Sequence, residues 1–452
     1  MEVLNADQAA GSLPRDVPQR PSAARTLSVV YVAWGATLAG NQLFTIVLFF
    51  ILPAAQVGLV NWGTAAGALF FYIAEGGVET ALVIAAKQQA LGLPAMWRAV
   101  GAIRLATAAL ALTAWLIALG LHLLHSAEAT VLLLVGIGFV FRSLQTPFTA
   151  SLQVNDRQGT AAVVGFSQVI GRFAALGAVL ALGIVTVPAV LTASLVGDAL
   201  ALIALGEAAR RWGRTSLAAG SERVGRLVRH LLRAAPGLTA SQAVIMIQAR
   251  VDWLLVAAIA SYAALANYSI ANKGLELLVL LGAVFARNAL PWFVEGWGSR
   301  NLTGILRVLI AGATVLGLAM AIWGSPILHF AFGAKYAGAS PVIPILSALA
   351  PALILVQIVQ FAILGKGFTG DTVVAGGAGV VAQITVDLLT IPHLGILGAA
   401  YGMCAFAGVA FPALLVAALA RRVIARAPAT ELALGAVFLP VLLLAVSRFV
   451  PL

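Results

Sequence analysis

Run after run of twenty or more apolar residues fixes what this 452-residue chain is able to fold into. Each run is long enough to cross a hydrocarbon core of roughly 30 Å as a helix. Lipid offers backbone N–H and C=O groups no partner, so such segments must be helices or strands of a closed barrel. Barrel strands alternate with period two; these runs do not, which leaves helices. Composition agrees, since 62% of residues are hydrophobic and 10% are charged, too little charge to cover a soluble surface of this size.

The runs place twelve spans at about 28–52, 57–84, 96–124, 129–154, 158–182, 187–208, 236–260, 264–290, 302–323, 341–365, 372–391 and 395–420. The stretch 430–450, which contains Pro440 and Arg448, is a candidate thirteenth. Residues 1–27 are polar, with Arg15, Arg20 and Arg25 among prolines. No short apolar stretch with a cleavage site follows, so they read as a disordered cytoplasmic tail and not as a signal peptide.

Loop charges set the direction. With the N-terminus inside, the cytoplasmic segments receive Lys87, Arg98, Arg157, Arg210, Arg211, Arg214, Arg223, Arg226, Arg229 and Arg233, then Arg300, Lys366, Arg421, Arg422 and Arg426. The opposite loops, at 52–56, 122–128, 185–188, 261–266 and 324–340, hold Lys335 as their single basic residue. The net charge of +11 therefore reports topology and contact with anionic lipid heads, not nucleic acid. The chain reads as a multi-pass protein of a bacterial inner membrane. Its single cysteine, Cys404, excludes an intrachain disulfide and any multi-cysteine metal site.

The basic segment 209–235 divides the chain into a lobe of six spans over 28–208 and another over 236–420, with 421–452 as a basic tail. Halves with an even number of spans share one orientation, so a repeat between them is parallel. Residues Gln56 to Trp62 and Tyr262 to Tyr268 both read polar-x-x-Leu-x-Asn-aromatic, and the ends of spans 6 and 12 both finish in a double arginine, Arg210-Arg211 and Arg421-Arg422. The fold class expected is all-α, two parallel six-helix lobes around a central cleft, an architecture that suits alternating access. The 45 glycines, Gly63 and Gly67 among them, mostly serve close helix packing.

Several stretches resemble polysaccharide-biosynthesis, Wzx-like flippases of the multidrug/oligosaccharidyl-lipid/polysaccharide exporter superfamily. They are Arg250-Val251-Asp252-Trp253-Leu254-Leu255 followed by Tyr268 to Glu276, Phe332-Gly333-Ala334-Lys335-Tyr336, the loop from Pro392 to Ala400, and Val57-Gly58-Leu59 with Gly76-Gly77-Val78-Glu79. The resemblance runs over roughly residues 28–420. It implies translocation of an undecaprenyl-pyrophosphate-linked oligosaccharide to the periplasmic face, with a polysaccharide polymerase and glycosyltransferases as working partners. Spans 1 and 2 hold no arginine, unlike lipid II flippases of the same superfamily, which often carry several there.

Charges inside spans are costly and face a cavity or a partner. Arg142, Arg172 and Arg250 lie near mid-span, Lys273 in the outer half of span 8, and Arg104 nearer the cytoplasmic end of span 3. Guanidinium binds phosphate oxygens bidentately, so Arg142, Arg172, Arg250 and Lys273 are the candidate substrate-binding cations. Lys273 and Glu276, three apart, are placed to pair on one helical face. Arg250 and Asp252 point to different faces and seek partners on other helices.

The buried acids are Glu75, Glu79, Asp198, Asp252, Glu276 and Asp387. Desolvation favours the neutral form of a carboxyl group, which makes each a candidate for ion coupling; pairing with a buried arginine is the commoner arrangement. His122 and His125 are spaced for a metal but lack a third ligand. Most tryptophans, Trp253 included, fall near span ends and read as interface anchors, with Trp62 and Tyr268 at the outer mouth. No nucleophile elbow, zinc motif or P-loop appears, so no cofactor or catalytic residue is implied. A cation antiporter of the same superfamily would favour an acid-rich cavity over one with several arginines. A polymerase or ligase would need a larger outer loop, and a scaffold would need no cations at mid-depth.

Overall fold

The computed structural model describes residues 23–75, 125–154, 157–212, 221–295 and 302–424, with a few positions between 97 and 117. Among the described residues every regular element is helical. In chain order these are α1 (Ala23–Ile51), α2 (Ala54–Glu75), α3 (Ser126–Val154), α4 (Gln158–Gly165), α5 (Ser167–Ala181), α6 (Val187–Trp212), α7 (Ser221–Ile259), α8 (Tyr262–Glu295), α9 (Leu302–Phe332), α10 (Ile343–Gly365), α11 (Thr369–Leu394) and α12 (Ile396–Ala420). Eight apolar segments among them are long enough to cross a membrane. The third expected span lies mostly outside the described residues, and the candidate span 430–450 lies wholly outside them.

Four expectations need correction. Helix α1 starts at Ala23, so residues assigned to the tail belong to the first helix. The span at 158–182 is two helices, α4 and α5, meeting at Phe166 beside Gly165, where the Phe166 N–H donates to the Val163 carbonyl in a tightened turn. The segment 209–235 is largely helical, because α6 runs on to Trp212 and α7 begins at Ser221. The outer loop expected at 324–340 is helical as well: α9 continues through Pro326 to Phe332, and a 3-10 helix covers Gly333–Ala339. Proline inside a spanning helix is tolerated where neighbouring groups satisfy the freed carbonyl.

In the first lobe α6 packs against α3 and α5, α1 against α4 and α5, and α2 against α3. In the second lobe α10 is surrounded by α8, α9, α11 and α12, and α7 packs on α11. Helix α10 is apolar on all sides and mostly buried, as a central core helix must be. Between lobes, α2 lies against α7 and α8. The matched segments at the starts of α2 and α8 thus face each other, as equivalent elements do beside a two-fold axis.

Contacts sort the connecting segments into two ends. At one, Lys335 reaches Phe49 and Leu52, and the Tyr262 hydroxyl donates to Glu128. At the other, Arg421 donates to Asp371 at 2.7 Å, which raises the Arg421 guanidinium pKa, and Gly237 lies beside Thr369. The loop charges had grouped these same segments on opposite sides, the first set outside. We call that first set the outer end.

The α11–α12 turn depends on two glycines. Gly395 has φ 56° and ψ −131°, a region closed to residues with a side chain. A Cβ at Gly398 would sit 2.6 Å from the backbone of Thr390 and Ile391. Gly395→Ala is expected to destabilise this hairpin by about 1–3 kcal/mol, read as a lower midpoint of thermal unfolding in detergent. An unchanged midpoint refutes the strain.

Candidate functional site

In the first lobe, small residues bring a carboxylate to two arginines. Helices α5 and α6 cross where Gly171 meets Gly197: a Cβ on Gly171 would lie 2.9 Å from the Gly197 Cα, and one on Gly197 would lie 2.3 Å from the Arg172 Cγ. That approach sets Asp198, the next residue on α6, beside Arg172 on α5. Arg172 Nη2 donates to Asp198 Oδ1 at 2.9 Å and Nη1 to Asn41 Oδ1 on α1 at 2.8 Å. Gln168, one turn before Arg172, donates to Asp198 as well. Arg142, from α3, reaches both oxygens of Asp198 at 3.3 and 3.4 Å.

The two arginines are not equivalent. The Arg172 side chain is 8% exposed and the Arg142 side chain 40%. Arg172 is therefore the inner member, fixed on Asp198 and Asn41. Arg142 makes longer bonds and presents its guanidinium to open space.

The second lobe repeats the pattern. Glu276 on α8 accepts from Lys273 at 2.7 Å and from Arg250 of α7 at 3.1 Å. Trp253, one turn after Arg250, lies under both cations, its ring centroid 4.6 Å from the guanidinium carbon and 5.7 Å from the ammonium nitrogen. An aromatic face attracts cations through its quadrupole, most strongly when water is excluded. Trp253 is 2% exposed, so the expected role as an interface anchor is wrong. Only the full packing of α7 shows which side of the helix the indole takes.

Both trios address one cleft. Arg142, Arg172 and Asp198 line it from the first lobe, Arg250, Trp253 and Lys273 from the second, around an open volume of about 800 Å³. With Asp198 and Glu276 ionised, each trio carries one net positive charge. Helix α1 touches both: Asn41 bonds Arg172, and the adjacent Gln42 donates to Glu276 at 3.4 Å.

A separate cluster of buried polar side chains lies within the second lobe. Asp252, buried, accepts from the Tyr268 hydroxyl and from the backbone N–H of Trp253. Tyr268, expected at the outer mouth, is fully buried here. Asp387, on α11, is buried, and neither of its carboxylate oxygens finds a hydrogen-bond partner among the described residues. A Cβ on Gly402 would meet Asp387 Oδ1 at 1.8 Å, so the carboxylate occupies space that only glycine leaves. Gln383, one turn earlier on α11, donates to the Gln248 carbonyl, while its own side-chain oxygen has no partner among the described residues.

The structure thus brings all four candidate cations to one cleft and divides the candidate acids into two classes. Asp198 and Glu276 are held by cations. Asp252 and Asp387 depart from the expected pairing with arginine: among the described residues neither is in an ion pair. Arg250 and Asp252 do find partners off their own helix, both on α8. Glu79, Arg104 and His122 lie outside the described residues, as does the side chain of Glu75. His125 pairs with Glu128 at 3.3 Å.

Residues overlooked in the sequence had a signal. Asn41-Gln42 is a double amide inside an apolar run, and Gln168 and Gln383 each stand four residues before a buried charge, on the same helical face. Trp253 had none that separates a core indole from an interfacial one.

A family model described as Polysaccharide biosynthesis protein matches residues 30–297. No curated protein matches the chain. Among solved structures the chain is similar to the lipid II flippase MurJ in an inward closed conformation, with a TM-score of 0.69 at 13% identity over 95% of this chain and 93% of that one. It is also similar to the Vibrio cholerae MATE transporter VcmN in the bent form (TM-score 0.58, 13% identity, 88% of this chain and 98% of that one). A third is the eukaryotic MATE transporter AtDTX14 (TM-score 0.56, 14% identity, 90% and 98%). At these identities the shared property is the fold.

Proposed function

We infer the function of this chain from one premise: it belongs to the polysaccharide biosynthesis protein family. It is a multi-pass membrane protein with the fold of a lipid flippase and of MATE transporters. We propose that it moves an undecaprenyl-pyrophosphate-linked oligosaccharide from the cytoplasmic to the periplasmic leaflet of a bacterial inner membrane, with its N-terminus cytoplasmic. The observation that carries this reading is the pair of two-cation, one-acid trios facing one cleft from opposite lobes.

The two net positive charges match the two negative charges of a pyrophosphate diester, and guanidinium groups supply the paired donors its oxygens accept. A ligand held by both lobes couples their movement, which is what alternating access requires. A substrate of this kind is assembled by glycosyltransferases and consumed by a polymerase, which makes those enzymes the working partners. The basic segments at 209–235 and 421–426 contact anionic lipid heads. A cation antiporter is the weaker reading, because both acids beside the cleft are already held by two cations each.

Reconstitution in vesicles with a fluorescent undecaprenyl-pyrophosphate-linked glycan tests the reading. Protein-dependent loss of leaflet asymmetry is expected, and competition by undecaprenyl pyrophosphate should exceed that by the monophosphate. Equal asymmetry with and without protein would sink it.

We propose that ion coupling falls to the buried acids Asp252 and Asp387. A buried carboxylate without a cationic partner must gain a proton or a metal cation to be tolerated. Asp387→Asn, which keeps the shape and removes the charge, is expected to abolish the acceleration that an imposed proton or sodium gradient gives the parent. If collapsing both gradients leaves flipping by the parent unchanged, coupling through these acids is wrong.

A further inference from the structure

The last carbonyls of a helix have no partner within it and carry its negative end. Two of those of α1, and the carbonyl of Leu52 just beyond its end, are taken by the second lobe. Lys335 Nζ donates to the carbonyls of Phe49 at 2.7 Å and Leu52 at 2.6 Å, with that of Phe50 at 3.4 Å. The Tyr336 hydroxyl donates to the Phe49 carbonyl at 3.0 Å. An ammonium has three donors, and here all three are aimed at one helix end.

Lys335 has no carboxylate within ion-pair distance among the described residues. Aromatic packing surrounds the contact: Phe50 stacks on Phe332 at 4.1 Å, and Phe49 meets Tyr336 edge-on at 5.4 Å. Lys335 is also the single basic residue of the outer loops read from the sequence, a position that the inside bias of positive charge disfavours. Topology therefore does not account for it.

Other contacts across the lobes lie at the same end. Gly58 is pressed on the backbone of Tyr262, where an added Cβ would fall 1.7 Å from the carbonyl oxygen. The Asn61 amide donates to Ser269 Oγ at 2.7 Å. The cleft lies below, with Asn61 in its wall.

We propose that Lys335, assisted by Tyr336, is the latch that holds the outer end of the cleft closed, and that its release from the carbonyl end of α1 opens the cleft to that side. The bonding suits a reversible contact. An ammonium and three carbonyls each exchange a protein partner for water when the lobes part, so separation strands no polar group. Interdigitated apolar packing would give no such exchange.

The inference rests on the alternating-access reading, and its test reads access to the cleft without any glycan. In a chain carrying Cys404→Ala, a cysteine replaces Thr64 in the cleft wall and is labelled by a membrane-impermeant maleimide from the outer side. Lys335→Met is expected to raise the labelling rate by at least about tenfold, the loss of hydrogen bonds to a charged group. Lys335→Arg should stay near the parent rate, and Tyr336→Phe should fall between.

Gly58→Val serves as the comparison, since it wedges the outer end open without touching the latch. Faster labelling in Gly58→Val with no change in Lys335→Met overturns the latch and leaves alternating access standing. No change in either variant overturns both. If Lys335→Met does not reach the membrane, Tyr336→Phe decides: faster labelling supports the latch and an unchanged rate overturns it.

Discussion

Arg250→Ala and Arg142→Ala are each expected to lower translocation by roughly 30-fold or more, the equivalent of about 2 kcal/mol or more for truncating one partner of a desolvated charge pair, while the chain still inserts in the membrane. Redundancy in each trio is the reason insertion survives. Without Arg250, Glu276 keeps Lys273 at 2.7 Å; without Arg142, Asp198 keeps Arg172 at 2.9 Å. Neither substitution leaves a buried carboxylate without a cation. Each removes one of the cations that line the cleft, and in Arg250→Ala the indole of Trp253 also loses a cation. Flipping of the labelled lipid-linked glycan, normalised to protein in the vesicle, measures the effect. Parent rates in both variants would remove the cationic cleft as the binding site.

The second large effect is on stability, and it belongs to the inner members of the first trio. Asp198→Ala leaves Arg172 buried and bonded to Asn41, a charge stripped of its counter-ion. Breaking a buried pair from one side costs about 3–5 kcal/mol. The midpoint of thermal unfolding in detergent should therefore fall much further for Asp198→Ala than for Arg142→Ala. Replacing both partners with apolar residues of similar size, as in Asp198→Leu with Arg172→Met, should recover most of the loss, because the one charge then left without its carboxylate, Arg142, is 40% exposed and keeps access to water. Equal midpoints for Asp198→Ala and Arg142→Ala would mean that the two arginines do not divide the work as their exposure indicates.

Much of the candidate site was legible. Charges in spans are few, so the candidates could be named by inspection: Arg142, Arg172, Arg250 and Lys273 as cations, Asp198, Asp252, Glu276 and Asp387 among the acids. The Lys273–Glu276 pair followed from helical spacing, and the structure contains it. What spacing could not supply was any pairing between helices. Asp198 and Arg142 are 56 residues apart, and Gln42 and Glu276 are 234 apart. The expectation that buried acids meet arginines held for Asp198 and, through Arg250, for Glu276. It failed for Asp252 and Asp387, and nothing local to those positions differs in a way that would have separated the two classes.

Helix ends were read less well than helix existence. The segment after Trp323 reads as a loop because Gly324, Ser325 and Pro326 are loop-forming residues in water, yet α9 continues through them to Phe332. Near lipid and packed protein, an open loop would leave backbone groups unpaired, and that penalty outweighs local propensity.

By itself the sequence determined the solvent and, through it, the class of fold. Apolar runs of bilayer length admit only helices, and the uneven placement of lysine and arginine is the basis of the proposed orientation. Both are one-dimensional properties, set by transfer of each segment between water and lipid. The tertiary structure alone decided which charges neutralise one another, which remain to face the cleft, and that Lys335 closes on the end of α1. Those outcomes depend on distances between helices far apart in the chain, where a shift of a few ångströms separates an ion pair from an unpaired charge.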